Sequence, residues 1–568
     1  MEKRWVLREI PDETSISRLI QQLNISKTLA TILAQRGVDT YDKAKSFFRP
    51  SLDELHDPFL MKDMDHAIKR LNFAISNKEK ILIYGDYDVD GTTSVALVYG
   101  FLKKYYDNLD FYIPDRNKEG YGVSDLAVQW AAENNFKLII TLDCGIKANH
   151  QISKGKKQGI DFIVCDHHTP DENLPEAIAV LDPKRNDCPY PFKELAGCGV
   201  GFKLLQAYCI NNDISLNPLF RNLDLVCISI ASDLVPIVGE NRILAYYGLK
   251  VLNKKPRPGL KALIDISGYR RKIDISGIVF GLAPRINAAG RIKHAIDSVK
   301  LLLASNEDEA QKFAHQLNLH NTNRKDFDMN ITREALEMID NSETLKVSKS
   351  TVLYKSDWHK GVIGIVASRC IEKYYRPTII LTKSNGKATG SARSVNGFDL
   401  YEALVKCSDL LDKFGGHKYA AGLTLPIENI DAFKSKFEEV VSSMITPSQL
   451  IPQINIDINL DFKDIGNKLY LIISRLAPFG PGNMQPVFVS SNVKSDKSAR
   501  LLKDQHLKMF VSQKGFTKKN EAIGFRMAEF FDRISKEDYF DMAYTIEEAE
   551  YRGNKYLQLV VKDIRFAH

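Results

Sequence analysis

The sequence predicts an α/β protein of several domains: a core built on a parallel sheet, a smaller α/β domain beyond a long helix, and a C-terminal β-barrel. Three observations carry that reading. Apolar runs of strand length at 81–84, 138–142, 162–165 and 225–232 are separated by helix-length sequence, as in strands buried on both faces. Residues 305–338 hold a long polar helical pattern with little Gly or Pro. Beyond a Ser- and Pro-containing stretch at 442–453, short alternating segments such as 556–561 have the period of a barrel.

Residues 1–75 are expected to be an all-helical N-terminal region, with helical spacing at 15–23 and 27–36 and Gly37 closing the second helix. The core is expected over 76–304, with helices starting at Thr92-Thr93-Ser94 and at Ser124-Asp125, both good capping sequences. A connecting helix follows over 305–345. The second α/β unit, 346–445, has strands at 350–354 and 377–381, residues 442–453 are the best linker, and the barrel occupies 450–568.

Composition sets the class. At 568 residues the chain exceeds one ordinary core. Its 44% hydrophobic and 26% charged residues are those of a soluble globular protein. A net charge of +7 permits a local basic groove without demanding nucleic acid. The eight cysteines include no CxxC pair, and Cys165 and Cys227 sit inside apolar runs, so buried reduced thiols are expected and disulfides are not. Cys188 and Cys198 lack the second pair or His cluster that a zinc site needs. No secretory leader and no bilayer-length apolar run is read, and a cytoplasmic location is the default expectation.

The ends of the apolar runs hold the chemistry. ILIYGDYDVDG at 81–91 delivers Asp86, Asp88 and Asp90 in succession. The next runs end in Asp143, in Asp166-His167-His168 and in Asp233. Sites in open parallel sheets form beyond the carboxyl ends of the strands. Clustered carboxylates repel unless a cation lies between them, and hard divalent ions prefer such oxygen ligands. A solvated acidic turn or a helix cap explains any one of these acids but not four ordered strand ends.

DYDVDG, the LDCG Asp, DHH and the SDLVP Asp resemble the four ordered motifs of the DHH phosphoesterase superfamily. Within it the chain resembles the RecJ family of bacterial single-strand-specific 5′→3′ DNA exonucleases. WHKGVIGIVASR at 358–369, GSARS at 390–394, GGH at 415–417 and AAGL at 420–423 resemble the family's DHH-associated domain. PFGPGN at 478–483 with HLK at 506–508 resembles its OB-fold segment, and LATILAQRG at 29–37 with LHDPF at 55–59 fits its N-terminal part. The resemblance implies two divalent ions, Mn2+ or Mg2+, held by Asp88, Asp90, Asp143, His167 and Asp233, with Asp143 bridging. His168 becomes a phosphate contact or general acid, and Asp86 and Asp166 either orient a ligand or bind through water. His167 would bind through one ring nitrogen and offer the other to an acceptor. Tyr84 stands where many superfamily members carry a His ligand, a departure that fits the RecJ-like branch.

Substrate contacts are expected from Arg285 and Asn287, in a small-residue turn that also carries Arg291, and from Ser391 and Arg393, whose hydroxyl, guanidinium and backbone N–H groups suit a terminal 5′ phosphate. Arg116 is the implied core partner of that pocket, and His417 either reaches the scissile phosphate or stabilises its turn. A narrow cleft between lobes would admit one strand and exclude duplex. Lys494, Lys497, Arg500, Lys503 and Lys508 outnumber nearby acids in the OB segment, with Phe510, Phe516 and Phe525 available for stacking. The implied partners are single-stranded DNA, a single-strand-binding protein and a repair helicase, acting with a monomer in repair and recombination. A small-substrate phosphodiesterase is disfavoured by the N-terminal and OB-like parts, and a metal-free scaffold by the intact ligand positions.

Overall fold

The computed structural model describes residues 2–116, 118–536 and 539–566. The chain forms two compact units, one of Glu9–Asn321 with Asp464–Pro486, the other of Met1–Arg8, Thr322–Lys463 and Val487–His568.

The first unit is built on a five-stranded parallel sheet in the order Leu109–Tyr112, Lys80–Gly85, Phe136–Leu142, Asp161–Cys165, Ala179–Leu181. The apolar runs at 81–84, 138–142 and 162–165 are its three central strands. Alternate residues feed opposite cores: Ile81, Ile83, Leu138 and Ile140 join one, Leu82, Tyr84, Ile139 and Val164 the other. That double burial is why these strands read as continuous apolar runs.

The run at 225–232 is not a strand. It lies in the helix Leu223–Ser232, which packs among the helices Val89–Leu102, Gly197–Asn211 and Gly239–Lys254. A helix enclosed on every side loses its amphipathic period, so its sequence mimics a buried strand. The last strand is instead Ala179–Leu181.

Two further local readings differ. The helix after DYDVDG starts at Val89 with Asp88 as its N-cap, so Thr92–Ser94 lie inside it. Their hydroxyls donate to the Asp88, Val89 and Asp90 carbonyls at 2.7 Å each. The Ser124 cap is as expected, accepting from the Ala127 N–H at 3.0 Å. PRINAAGR, read as a turn around Arg285 and Asn287, forms the helix Ala283–Ile292, preceded by a π-helical stretch Ile278–Leu282. Its single Gly is outweighed by good helix formers.

In the second unit a five-stranded sheet runs Lys413–His417, Ala420–Leu425, Lys387–Arg393, Thr378–Ser384, Thr351–Tyr354. A ring of strands also closes: Phe488–Ser495, Phe540–Tyr551, Asn554–Phe566, Lys519–Gly524 and His506–Gln513, the last pairing back on the first. This is the OB-type barrel. The expected connecting helix is Glu307–Asp340. The stretch 442–453 is not a loose linker: it completes the helix Ile430–Met444 and forms a capped turn at Pro447–Leu450, with Gln449 donating to the Gly397 carbonyl at 2.7 Å.

The N-terminal region is not all-helical either. Arg4–Leu7 is a strand lying parallel to Gln453–Ile456, fastened by the Trp5 indole N–H on Asp563 at 2.7 Å. The converse holds for PFGPGN, which leaves the barrel and packs in the first unit. There the buried Arg242 guanidinium donates to the Leu476 and Ala477 carbonyls at 2.8 and 3.1 Å. Asn483 accepts from Arg36 at 3.2 Å, so LATILAQRG and PFGPGN meet although distant in sequence. All eight cysteines are buried and free. Among the described residues no helix is long and apolar enough to cross a membrane.

Candidate metal centre

The strand ends of the first unit bring Asp86, Asp88, Asp90, Asp143, Asp166, His167 and His168 together, and the C-terminus of the Leu223–Ser232 helix adds Asp233. The correction from strand to helix therefore leaves Asp233 at the site.

Asp90 is the most firmly held. Its Oδ2 accepts from the Gly197 N–H at 2.8 Å, and its Oδ1 accepts from the Cys198 N–H at 2.8 Å and the Ser229 hydroxyl at 2.7 Å. The first two donors are orphan amides at the start of the Gly197–Asn211 helix, whose dipole also favours an anion. Asp88 accepts from the Gly91 N–H at 3.0 Å as the cap of its helix. Asp143 has a positive φ of 60°, a conformation uncommon for a residue with a Cβ. Gly197 makes room for it, since a Cβ there would lie 2.7 Å from the Asp143 Cβ.

His167 points Nε2 into the carboxylates, 3.1 Å from Asp143, 3.6 Å from Asp90 and 3.7 Å from Asp233. Its Nδ1 is buried with no hydrogen-bond partner, so the acceptor expected there is not found. Asp166 organises the DHH turn, accepting from the amides of Ile146, His167 and His168 and from His168 Nδ1 at 2.8 Å. Burial pushes its carboxyl up, but the His168 and Ile146 hydrogen bonds outweigh that and hold it below the usual range. Burial likewise pulls His168 down, while the bond to Asp166 lifts it to about 9.

The other acids crowd one another. Burial, then the Asp90 and Asp88 charges, push Asp143 well up. Burial and the Asp88 charge do the same to Asp86, whose two oxygens have no hydrogen bond of standard geometry although the Tyr87 and Gly122 amides lie near. Burial followed by Asp90 and Asp88 raises Asp233 to about 8. These are the strains that a cation relieves. Asp143, His167 and His168 form one group of ligand atoms within 4.8 Å of one another, and Asp90, His167 and Asp233 form a second. The oxygen-rich donors, the orphaned carboxylate and the buried imidazole fit hard divalent ions.

Three residues at this site lay outside the sequence reading. The Tyr121 hydroxyl sits 3.2 Å from His168 Nε2 and 3.3 Å from the Asp143 carbonyl. Asp182, after the unrecognised strand Ala179–Leu181, is fully buried with one oxygen unpartnered, and burial raises it to about 7. Ser229 lies inside an apolar run with no signal of its role. Ser229→Ala should weaken divalent-ion binding roughly tenfold, as loss of such a supporting hydrogen bond does. Calorimetric titration with Mn2+ checks this, and unchanged affinity would remove Ser229 from the support of Asp90.

Of the predicted substrate residues, Arg116, Arg285 and Asn287 share the unit of the metal centre. The Arg116 guanidinium lies 5.1 Å from the centroid of the Tyr87 ring. Arg285 donates to the Gly281 carbonyl at 2.6 Å and to Asn318 at 3.0 Å, and Asn287 is half-exposed two residues on. Tyr84 is buried, donates to the Gly122 carbonyl at 2.7 Å and stacks on Tyr112. Ser391, Arg393 and His417 belong to the other unit. Ser391 and Arg393 lie on one face of the strand Lys387–Arg393, where Arg393 Nη1 donates to Ser391 Oγ at 3.0 Å. That strand is paired on both sides, so its ladder engages the N–H groups expected to be free. The start of the helix Ile363–Tyr374 abuts the pair: a Cβ on Gly364 would lie 2.8 Å from Ser391 Oγ and 2.9 Å from Arg393 Nη2. His417 is exposed at the end of an edge strand.

Comparison with known proteins agrees with this architecture. The DHH family N-terminal domain matches residues 80–230, the DHHA1 domain 346–443 and the RecJ OB domain 456–563. The Bacillus subtilis protein named single-stranded-DNA-specific exonuclease RecJ is 38% identical over 99% of this chain and 70% of its own length. The crystal structure of Thermus thermophilus RecJ in complex with Mn2+ matches all of this chain and 80% of its own, with a TM-score of 0.86 at 26% identity. Its Mg2+ complex matches all of this chain and 79% of its own, with a TM-score of 0.78 at 25% identity. With the acid-and-histidine centre in the matched core and the family's three domains in order, the chain belongs to the RecJ family of DHH exonucleases.

Proposed function

We propose that the protein is a divalent-metal-dependent exonuclease that hydrolyses single-stranded DNA from its 5′ end, in the cytoplasm, during DNA repair and recombination. The observation that carries this reading is the pair of ligand groups sharing His167, in which buried Asp90 and Asp143 are joined by the more exposed Asp233, in a chain similar to RecJ over nearly its whole length. Two ions, Mn2+ or Mg2+, would supply hydroxide at neutral pH and neutralise phosphoryl charge. Asp88, Asp90, Asp143, His167 and Asp233 would hold them, with Asp143 the ligand proposed to serve both. Asp166 fixes the DHH turn. His168, aligned through Nδ1 and raised to about 9, presents a proton at Nε2 to a phosphate or leaving oxygen.

Arg285 and Asn287 contact backbone phosphates, Arg116 contacts the terminal 5′ phosphate, and His417 is a further phosphate contact. Ser391 and Arg393 receive the terminal 5′ phosphate. The chemistry that bound ions would supply sets no direction, so direction comes from the residues that hold a strand end. A monomer cooperates with a single-strand-binding protein and a helicase. Digestion of 5′- and 3′-end-labelled single strands, with duplex and RNA controls, with and without Mn2+, tests the reading. Release of label from the 3′ end first would refute the polarity.

Asp86→Asn should lower activity less than Asp88→Asn. Asp86 is fully buried without a standard hydrogen bond, whereas half-buried Asp88 adjoins Asp90 and Asp143. Equal losses in a side-by-side rate comparison would make Asp86 a ligand.

A further inference from the structure

The π-helical stretch Ile278–Leu282 runs directly into the helix Ala283–Ile292, with the Ala283 N–H reaching back to the Ile278 carbonyl. One extra residue in a helical turn shifts the phase of what precedes it, and such turns are frequent at functional sites. Here Ile278 and Leu282 stay fully buried while Phe280 stands 81% exposed, the most exposed aromatic side chain among the described residues. Steps of four, three and four residues lead from Phe280 along one face to Pro284, Asn287 and Arg291, all partly exposed, while Ala283, Ile286, Ala289 and Gly290 face the core.

The C-terminal end of that helix meets the metal loop through its core-facing side, and the charge of Arg291 on the outer face also acts on Tyr87. A Cβ on Gly290 would lie 2.7 Å from the Tyr87 carbonyl, one residue before Asp88. Eleven residues of helix separate this end from Phe280 by about 16 Å. Residues 278–293 hold Arg285, Arg291 and Lys293 and no acid, and exposed Arg270, Arg271 and Lys272 precede them with one exposed acid, Asp274. An aromatic face in water, flanked by cations and leading to a phosphodiester-cleaving centre, complements an unpaired strand: cations meet phosphates and the ring meets a base.

We propose that Phe280 is a stacking platform for one unpaired base of the substrate, set a fixed few nucleotides from the scissile phosphate. Every base has a π-face, so the contact is tolerant of sequence and demands only that the base be unpaired. This rests on the single-stranded-DNA reading of the metal centre.

The test is an abasic scan. The full-length protein is kept in chelator to prevent hydrolysis, and anisotropy reports binding of 3′-fluorescein, 5′-phosphorylated thymidine oligomers with one abasic nucleotide at successive positions. The parent should lose roughly five- to a hundredfold in affinity at one defined position. Phe280→Ala should bind every oligomer with that weakened affinity and a flat profile. Phe280→Trp should restore the position dependence, with its emission quenched by the intact strand and not by the strand abasic there. A flat parent profile, or a position dependence that survives in Phe280→Ala, overturns the platform while leaving the exonuclease reading in place. A parent that neither binds nor degrades single strands overturns both. Self-association abolished by Phe280→Ala with an unchanged scan would assign the ring to a second copy of the chain and overturn the platform.

Discussion

Asp143→Asn is expected to lower DNA hydrolysis by roughly three orders of magnitude or more, because it removes the carboxylate proposed to serve both ions. Asn tolerates the left-handed backbone at this position, so the loss isolates the charge. Without metal the same change should raise stability. The folded-state pKa values of Asp86, Asp88, Asp143 and Asp233 all lie above the usual carboxylate range. Protons are thus held more tightly in the folded state. The stability these acids contribute is full below about pH 4, the unfolded value, and is lost as pH rises through the folded values, about 8 for Asp233. Thermal melts in chelator should show the parent weakening from pH 5 to pH 8 and Asp143→Asn weakening less. Full activity in the variant with unchanged metal stoichiometry would refute the two-ion assignment.

Arg393→Ala is expected to lower kcat/KM on 5′-phosphorylated strands by about ten- to a hundredfold, in keeping with roughly 1.5–3 kcal/mol for a charge-assisted contact to phosphate. The ladder on both sides of Lys387–Arg393 fixes where Ser391 and Arg393 stand, and the close helix start at Gly364 adds partial positive charge to the same place. Metal affinity should be untouched, and the preference for a 5′ phosphate over a 5′ hydroxyl should shrink. Rates on matched phosphorylated and hydroxyl-ended strands decide it. A preference kept in full would place the end pocket elsewhere.

Much of the core was legible because parallel strands buried on both faces write themselves as unbroken apolar runs that stop at their functional acids. The same signal failed at 225–232, since a helix enclosed by other helices has no polar face to reveal its period. Side-chain partners were less legible than ligands. Asp90 announces itself by type and position, but the amides of Gly197 and Cys198 and the hydroxyl of Ser229 come from segments more than a hundred residues away. In GSARS the hydroxyl and guanidinium were legible by residue type, whereas the engagement of its backbone N–H groups comes from strand partners on both sides that the local sequence does not show. Tyr121 and Asp182 were missed for a simpler reason: one follows no apolar run, and the other follows a strand of three residues.

The excursion of PFGPGN into the first unit bears on how the protein is made. Arg242 is buried, has only backbone carbonyls as acceptors at its terminal nitrogens, and three of these, Leu476, Ala477 and Pro478, are synthesised more than two hundred residues after it. Until they emerge, the guanidinium must either stay in water or be buried with donors unmet, a cost of several kcal/mol. The first unit, most of which is synthesised by Asn321, is therefore completed only when the stretch Asp464–Pro486 has followed it.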